Sequence, residues 1–209
     1  MKPLIEKAIV SGVPESTIIL LLLLPFIAFI IAFSRNVVGI RGFGIFLPAA
    51  LAVSFVATGP VIGIGLFLII VAVSTLIRLL FRKLKLKLQY LPRMALILWG
   101  VAVGVLVGIL VLPFNVPIFA VLILILLSED FTRVQLGKSV KTALNLTLET
   151  LLLSIISYFF LTFRPLQEFV LTRPEIALII IAIADLALAK YSGLRLMEIY
   201  RFRKLIKSK

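Results

Sequence analysis

Two carboxylates sit where a bilayer makes charge costly. Asp185 lies in the apolar run IIAIADLALA and Glu149 in LNLTLETLLL. Each is about ten residues into its run, which at about 1.5 Å per helical residue predicts a position near mid-bilayer. An ionisable group at that depth normally faces protein or water. Thr142, Asn145 and Glu149 follow a three-then-four spacing and share one helix face, and Ser154 and Ser157 extend the polarity. With an acid on another helix, such a stripe either lines a hydrated path or substrate pocket, or makes a structural contact with hydroxyls or an arginine. Both readings stay open. Arg41 precedes Gly42-Phe43-Gly44 and then Pro48, where backbone amides are free. A guanidinium beside free amides is an anion cradle. The candidate substrate or ion path is therefore Arg41, Asn145, Glu149 and Asp185.

The chain contains no histidine and no cysteine. That removes His- and Cys-based catalysis, zinc sites and disulfides. There is no HExxH, P-loop or nucleotide fingerprint, and the aspartates, Asp130 and Asp185, lack the GxGD of an intramembrane aspartyl protease. No enzymatic activity, cofactor or metal site is expected.

The elements that must position these residues are membrane helices. The 209 residues are 62% hydrophobic and only 15% charged, against about 25% charged in an ordinary soluble domain. Mean hydropathy is +1.24. The net charge of +13 would indicate nucleic acid in a soluble chain. Here the basic residues separate apolar runs too long for a soluble core, so no nucleic-acid partner is expected. The fold class is an all-α integral membrane protein, a seven-helix transmembrane bundle. The spans are Thr17–Phe33, Phe43–Ala57, Val61–Leu80, Met94–Leu112, Val116–Leu127, Ser139–Phe163 and Glu175–Ala189. Spans two and five are short and marked by Pro48 and by Pro113 and Pro117, so they are expected to be tilted, broken or re-entrant.

An outside N-terminus places eighteen of the 22 basic residues on inner segments, as the positive-inside rule requires. This predicts a multi-pass protein of the cytoplasmic (inner) membrane, N-out and C-in. Its parts are an extracytoplasmic segment 1–16, a transmembrane domain 17–194 and a basic cytoplasmic tail 195–209. The start lacks a cleavage signal, and residues 2–10 are expected to form a short amphipathic piece on the outer surface. Arg35, Arg78, Glu129 and Asp130 stand at inner span ends, as interfacial anchors do. Spans one to three and four to six each begin after an X-Pro pair, Val13-Pro14 and Leu91-Pro92, which is the pattern of an inverted repeat. Gly100, Gly104 and Gly108 recur every four residues, as close helix packing needs, and Gly59 and Gly63 repeat the pattern once.

The inner face is strongly basic. FRKLKLKLQY carries Arg82, Lys83, Lys85 and Lys87, and the tail carries Arg201, Arg203 and Lys204. These are the expected contacts to anionic lipids of the cytoplasmic leaflet or to an acidic partner.

Several phrases in order resemble a known family. They are Val13-Pro14, Arg35-Asn36-Val37-Val38-Gly39-Ile40, Gly42-Phe43-Gly44-Ile45-Phe46-Leu47-Pro48, Leu91-Pro92-Arg93-Met94-Ala95 and Glu129. Leu146-Thr147-Leu148-Glu149-Thr150, Pro174-Glu175 and Tyr191-Ser192-Gly193-Leu194-Arg195-Leu196 with Glu198 follow. They resemble the bacterial seven-transmembrane domain usually fused to an inactive transglutaminase-like domain, over about Val13 to Phe202. The resemblance implies an extracytoplasmic domain before the first span. This sequence has none: it is either a stand-alone member of the family or a fragment, and a separate transglutaminase-like protein is one expected partner. Members are commonly encoded with ATP-grasp-type ligases that join amino acids, which implies a membrane role in making or exporting a peptide-like product. Arg41–Pro48 also looks like part of a small membrane subunit of poly-γ-glutamate capsule synthesis.

Two functions follow as expectations. The first is a membrane component for assembly or export of an anionic peptide or amino-acid polymer, partnering a cytoplasmic ATP-grasp-type ligase. The alternative is a non-transporting scaffold or signalling subunit whose intramembrane acids are structural.

Overall fold

In the computed structural model, residues 2–84, 89–111, 116–136, 140–191, 193 and 196 are described. They form α1 (Lys2–Val10), α2 (Glu15–Phe33), α3 (Phe46–Thr58), α4 (Pro60–Lys83), α5 (Tyr90–Val111), α6 (Ile118–Leu136), α7 (Val140–Thr162), α8 (Arg164–Thr172) and α9 (Pro174–Ala189). Among the described residues there is no strand. Each of the seven expected spans corresponds to one helix, α2 to α7 and α9. In hydrocarbon every backbone group must be satisfied within its own segment, and only the helix does this for a lone strand of chain.

Four of these helices are long and apolar enough to cross a bilayer by themselves: α2 with its following turn, α4, α5 and α7. The others depend on neighbours. α3 has 13 residues and is about 20 Å long, short of the roughly 30 Å hydrocarbon core. Pro48 falls in its first turn, where a missing N–H leaves no bond unmade. α6 is longer than the apolar run that announces it, because its last two turns carry Glu129, Asp130 and Arg133. Pro117 precedes this helix, while Pro113 lies outside the described residues. Pro25 sits inside α2.

α3 is the hub of the bundle. It packs on α7, α6, α4 and α2. On one side Phe43, Leu47, Leu51 and Phe55 meet residues of α4, α5 and α6. On the other, Ala52 joins Leu23, Ile27 and Leu153 of α2 and α7. The centre is filled by rings: Phe131 lies 5.5 Å from Phe43 and 6.3 Å from Phe67, both edge to face. The packed pairs have the relation that an inverted repeat requires. Exchanging α2, α3 and α4 with α5, α6 and α7 turns α2–α7 into α5–α4, α3–α7 into α6–α4 and α2–α3 into α5–α6. It leaves α3–α6 in place.

The recurrent glycines close α4 onto α5. Gly100 faces Ile77, Gly104 faces Val73 and Gly108 faces Ile69, so the helices run antiparallel in close register. A Cβ on Gly104 would stand 2.7 Å from Val73 Cγ2. Gly104→Leu is expected to push the hairpin apart and cost about 1–3 kcal/mol, read as a lower unfolding midpoint in detergent. Gly63 takes the corresponding close contact with Phe55 between α3 and α4.

One helix was not legible as a separate element. α8 carries Leu166, Phe169 and Val170 on one side and Arg164, Gln167 and Glu168 on the other, and packs against α2, α7 and α9. It lies at the end of the bundle where Glu15, Ser16 and Val56 share a cleft with it. α1 is a helix over Lys2–Val10, as the amphipathic reading of residues 2–10 expected. Only Ile5 and Ala8 are partly covered.

Candidate functional site

The opposite end of the bundle collects the polar chemistry. α2 leaves its α-helical geometry at Ser34 and makes a π turn, Ser34–Val38. Gly39 closes the turn with φ 104°, a left-handed conformation that suits glycine. Its N–H and that of Ile40 both donate to the Ser34 carbonyl, at 2.9 and 3.1 Å. The chain then runs without regular structure to α3, and this connector needs partners for its backbone donors.

α7 supplies them. The Arg41 N–H donates to the Glu149 carboxylate. The Phe43 N–H donates to Thr150 Oγ1 at 2.8 Å, in a buried contact. Thr150 in turn donates to the Leu146 carbonyl at 2.7 Å, so one hydroxyl joins the connector to the helix ladder. Gly42 makes the approach possible: a Cβ there would stand 2.9 Å from Leu153 Cδ1 and 3.2 Å from Thr150 Oγ1. The Arg41 side chain is exposed at this end.

Beside the connector, a cleft of about 220 Å³ is lined by Phe43–Leu47 with Asp130 and Arg133. Arg133 organises its rim. Its Nε donates to the Tyr90 hydroxyl at 2.9 Å, and it pairs with Glu129 at 3.0 Å and Asp130 at 3.9 Å. The bundle end therefore carries a fixed carboxylate, an exposed Arg41 side chain and an Arg133 group held between acids and a phenol. No group of three or more potential metal ligands occurs among the described residues.

Glu149 thus lies beside the loop at the end of α3. α7 begins at Val140, and Glu149 on its third turn meets the loop that leads into α3. Thr142 and Asn145 are exposed on those turns. The buried stripe on α7 is instead Thr147, Thr150, Ser154 and Ser157. Three of these hydroxyls bond to the carbonyl four residues back. Their three-four-three spacing in the sequence was the available signal for Thr150. Asp185 stands apart. It is exposed on α9, four residues before the helix ends at Ala189. α9 packs on α2 and α8. Arg82 and Lys83 are exposed at the end of α4. Lys85, Lys87, Arg201, Arg203 and Lys204 lie outside the described residues.

These features define a multi-pass, all-α membrane bundle with a polar end built around a loop between two helices. The chain belongs to the family described as seven transmembrane helices usually fused to an inactive transglutaminase, whose model matches residues 12–206. No curated protein and no solved structure matches the chain.

Proposed function

We propose that this protein is the membrane component of a system that assembles or exports an anionic peptide or amino-acid polymer, oriented N-out and C-in in the cytoplasmic membrane. The observation that carries the reading is the pinned connector, which fixes Arg41 to α7 through its backbone and leaves its guanidinium exposed for an anion. The domain limits follow the charge pattern: segment 1–16 outside, bundle 17–194, and basic tail 195–209 inside. Arg82, Lys83, Lys85, Lys87, Arg201, Arg203 and Lys204 are the basic residues to which an ATP-grasp-type ligase and anionic lipids would be drawn, by the positive-inside asymmetry of the sequence. A transglutaminase-like domain, with which this family is associated, would meet the outer end, near α1 and α8.

Arg41→Gln tests this reading. It removes the guanidinium and leaves the backbone bond to Glu149 in place. Loss of one charge-assisted contact is expected to lower polymer yield or flux about tenfold to a hundredfold with the fold intact. An unchanged yield would remove Arg41 from the path.

A second reading, a scaffold with no path, is favoured by the interlocked rings of Phe43, Phe67 and Phe131 at the centre. Asp185→Asn separates the two. A conducting role for this acid predicts loss of solute movement, whereas a scaffold predicts wild-type movement with altered stability only.

A further inference from the structure

A cleft at the bundle end opposite the Arg41 connector is charged at its mouth and apolar at its floor. Its volume is about 540 Å³, within the roughly 300–1,000 Å³ of small-molecule sites. α2 supplies Glu15 and Ser16 from its first turn and Ile19 and Leu20 from its second. α8 supplies Arg164, Gln167, Glu168 and Leu171, and α3 adds Val56. The apolar members are half-buried, whereas Glu15, Arg164 and Glu168 are exposed at the mouth. Gln167 is held in place, since its Nε2 donates to the Leu161 carbonyl at 2.6 Å.

The charges around this cleft do not pair with one another. Arg164 and Glu168 stand one turn apart on α8, a spacing at which opposite charges commonly meet. Among the described residues, no ion pair joins Arg164 to Glu168 or to Glu15. Glu15 lies in the first turn of α2, where the dipole favours a carboxylate. Arg164 lies at the amide end of α8, where the dipole opposes a cation and an oxyanion beside it offsets that opposition. Two carboxylates and one guanidinium leave the mouth with an excess of negative charge. A simple anion is repelled by the carboxylates and a metal ion by the guanidinium. An ammonium and an oxyanion carried on one molecule satisfy both signs through charge-assisted hydrogen bonds, and its carbon chain covers the floor. α8 is a short amphipathic helix between two apolar ones, which puts the cleft at the level of lipid headgroups.

We propose that this cleft binds a zwitterion, an ammonium set a few atoms from an oxyanion. Glu15 and Glu168 receive the ammonium, Arg164 receives the oxyanion, and Ile19, Leu20 and Leu171 cover the attached carbons. The site is separate from the Arg41 connector and does not depend on the function proposed above. The zwitterion is either a phosphatidylethanolamine headgroup or a soluble amine of the same charge pattern.

Native mass spectrometry of the detergent-purified full chain tests the site, with phosphatidylethanolamine, phosphatidylglycerol and soluble phosphoethanolamine as probes. The expected result is one saturable phosphatidylethanolamine adduct per chain, about tenfold tighter than phosphatidylglycerol, which lacks the ammonium. The double variant Glu15→Gln, Glu168→Gln should erase that preference. Arg164→Gln should instead weaken both lipids alike, about threefold to tenfold, because the contact is exposed. Arg41→Gln, at the other end, should bind as wild type. An adduct that excess phosphoethanolamine fails to displace identifies the lipid, held also by its chains, whereas displacement identifies a soluble zwitterion. The substituted side chains are exposed, so the variants are expected to fold. Equal binding of the two lipids by the wild type, or an unaltered preference in the double variant, would overturn the proposal.

Discussion

Phe131→Ala is expected to produce the largest loss of stability of any single truncation in the bundle. The ring is 1% exposed and meets Phe43 and Phe67 edge to face. It therefore joins the connector, α4 and α6 at one point. Phe→Ala in soluble cores costs about 3–5 kcal/mol. In lipid the transfer contribution is small, but the lost dispersion contacts and the cavity remain. The lower part of that range is expected here. Unfolding in mixed micelles of increasing sodium dodecyl sulfate measures it, and a midpoint equal to wild type would show that the centre repacks freely. Phe131→Leu keeps most of the volume and should recover much of the loss.

The second large effect concerns the pinned connector. Thr150→Val removes the acceptor of the Phe43 N–H and leaves that buried donor without a partner, at a cost of about 1–3 kcal/mol. Glu149→Ala removes the acceptor of the Arg41 N–H. Because both bonds hold one short segment, the two substitutions are expected to couple and not to add. A labelling experiment reads the same event directly. The chain has no cysteine, so Ile45→Cys introduces one thiol beside the connector. Its reaction with an impermeant thiol reagent should accelerate in the double variant, and an unaltered rate would show that these acceptors do not hold the loop.

Apolar length made the bundle readable. Runs such as those in α2 and α4 leave no alternative to a membrane helix, and the glycines at positions 100, 104 and 108 named a close helix contact that the structure assigns to α4. α8 escaped because its nine residues alternate polar and apolar at helical spacing within a stretch too short to read as a span. Charge was legible as a sum and illegible as placement. Glu149 was recognisable as a costly residue, yet its partner is a backbone N–H, and backbone donors leave no trace in composition. Arg41 was identified for its guanidinium, whereas the bond that fixes it is made by its main chain. Asp185 was visible for the same reason as Glu149. Its place on α9, packed on α2 and α8, depends on a tertiary arrangement that no local pattern encodes.

In the proposed function, the basic residues of this chain gather an enzyme that joins amino acids. Purifying the tagged full chain from native membranes in mild detergent at low salt, with identification of what accompanies it by mass spectrometry, tests this most directly. The account predicts a stoichiometric ATP-grasp-type ligase that is lost when Arg82, Lys83, Lys85 and Lys87 are reversed to glutamate, since such contacts are electrostatic and screened by salt. A chain that emerges without a ligase, or a ligase retained unchanged after the charge reversal, would contradict it.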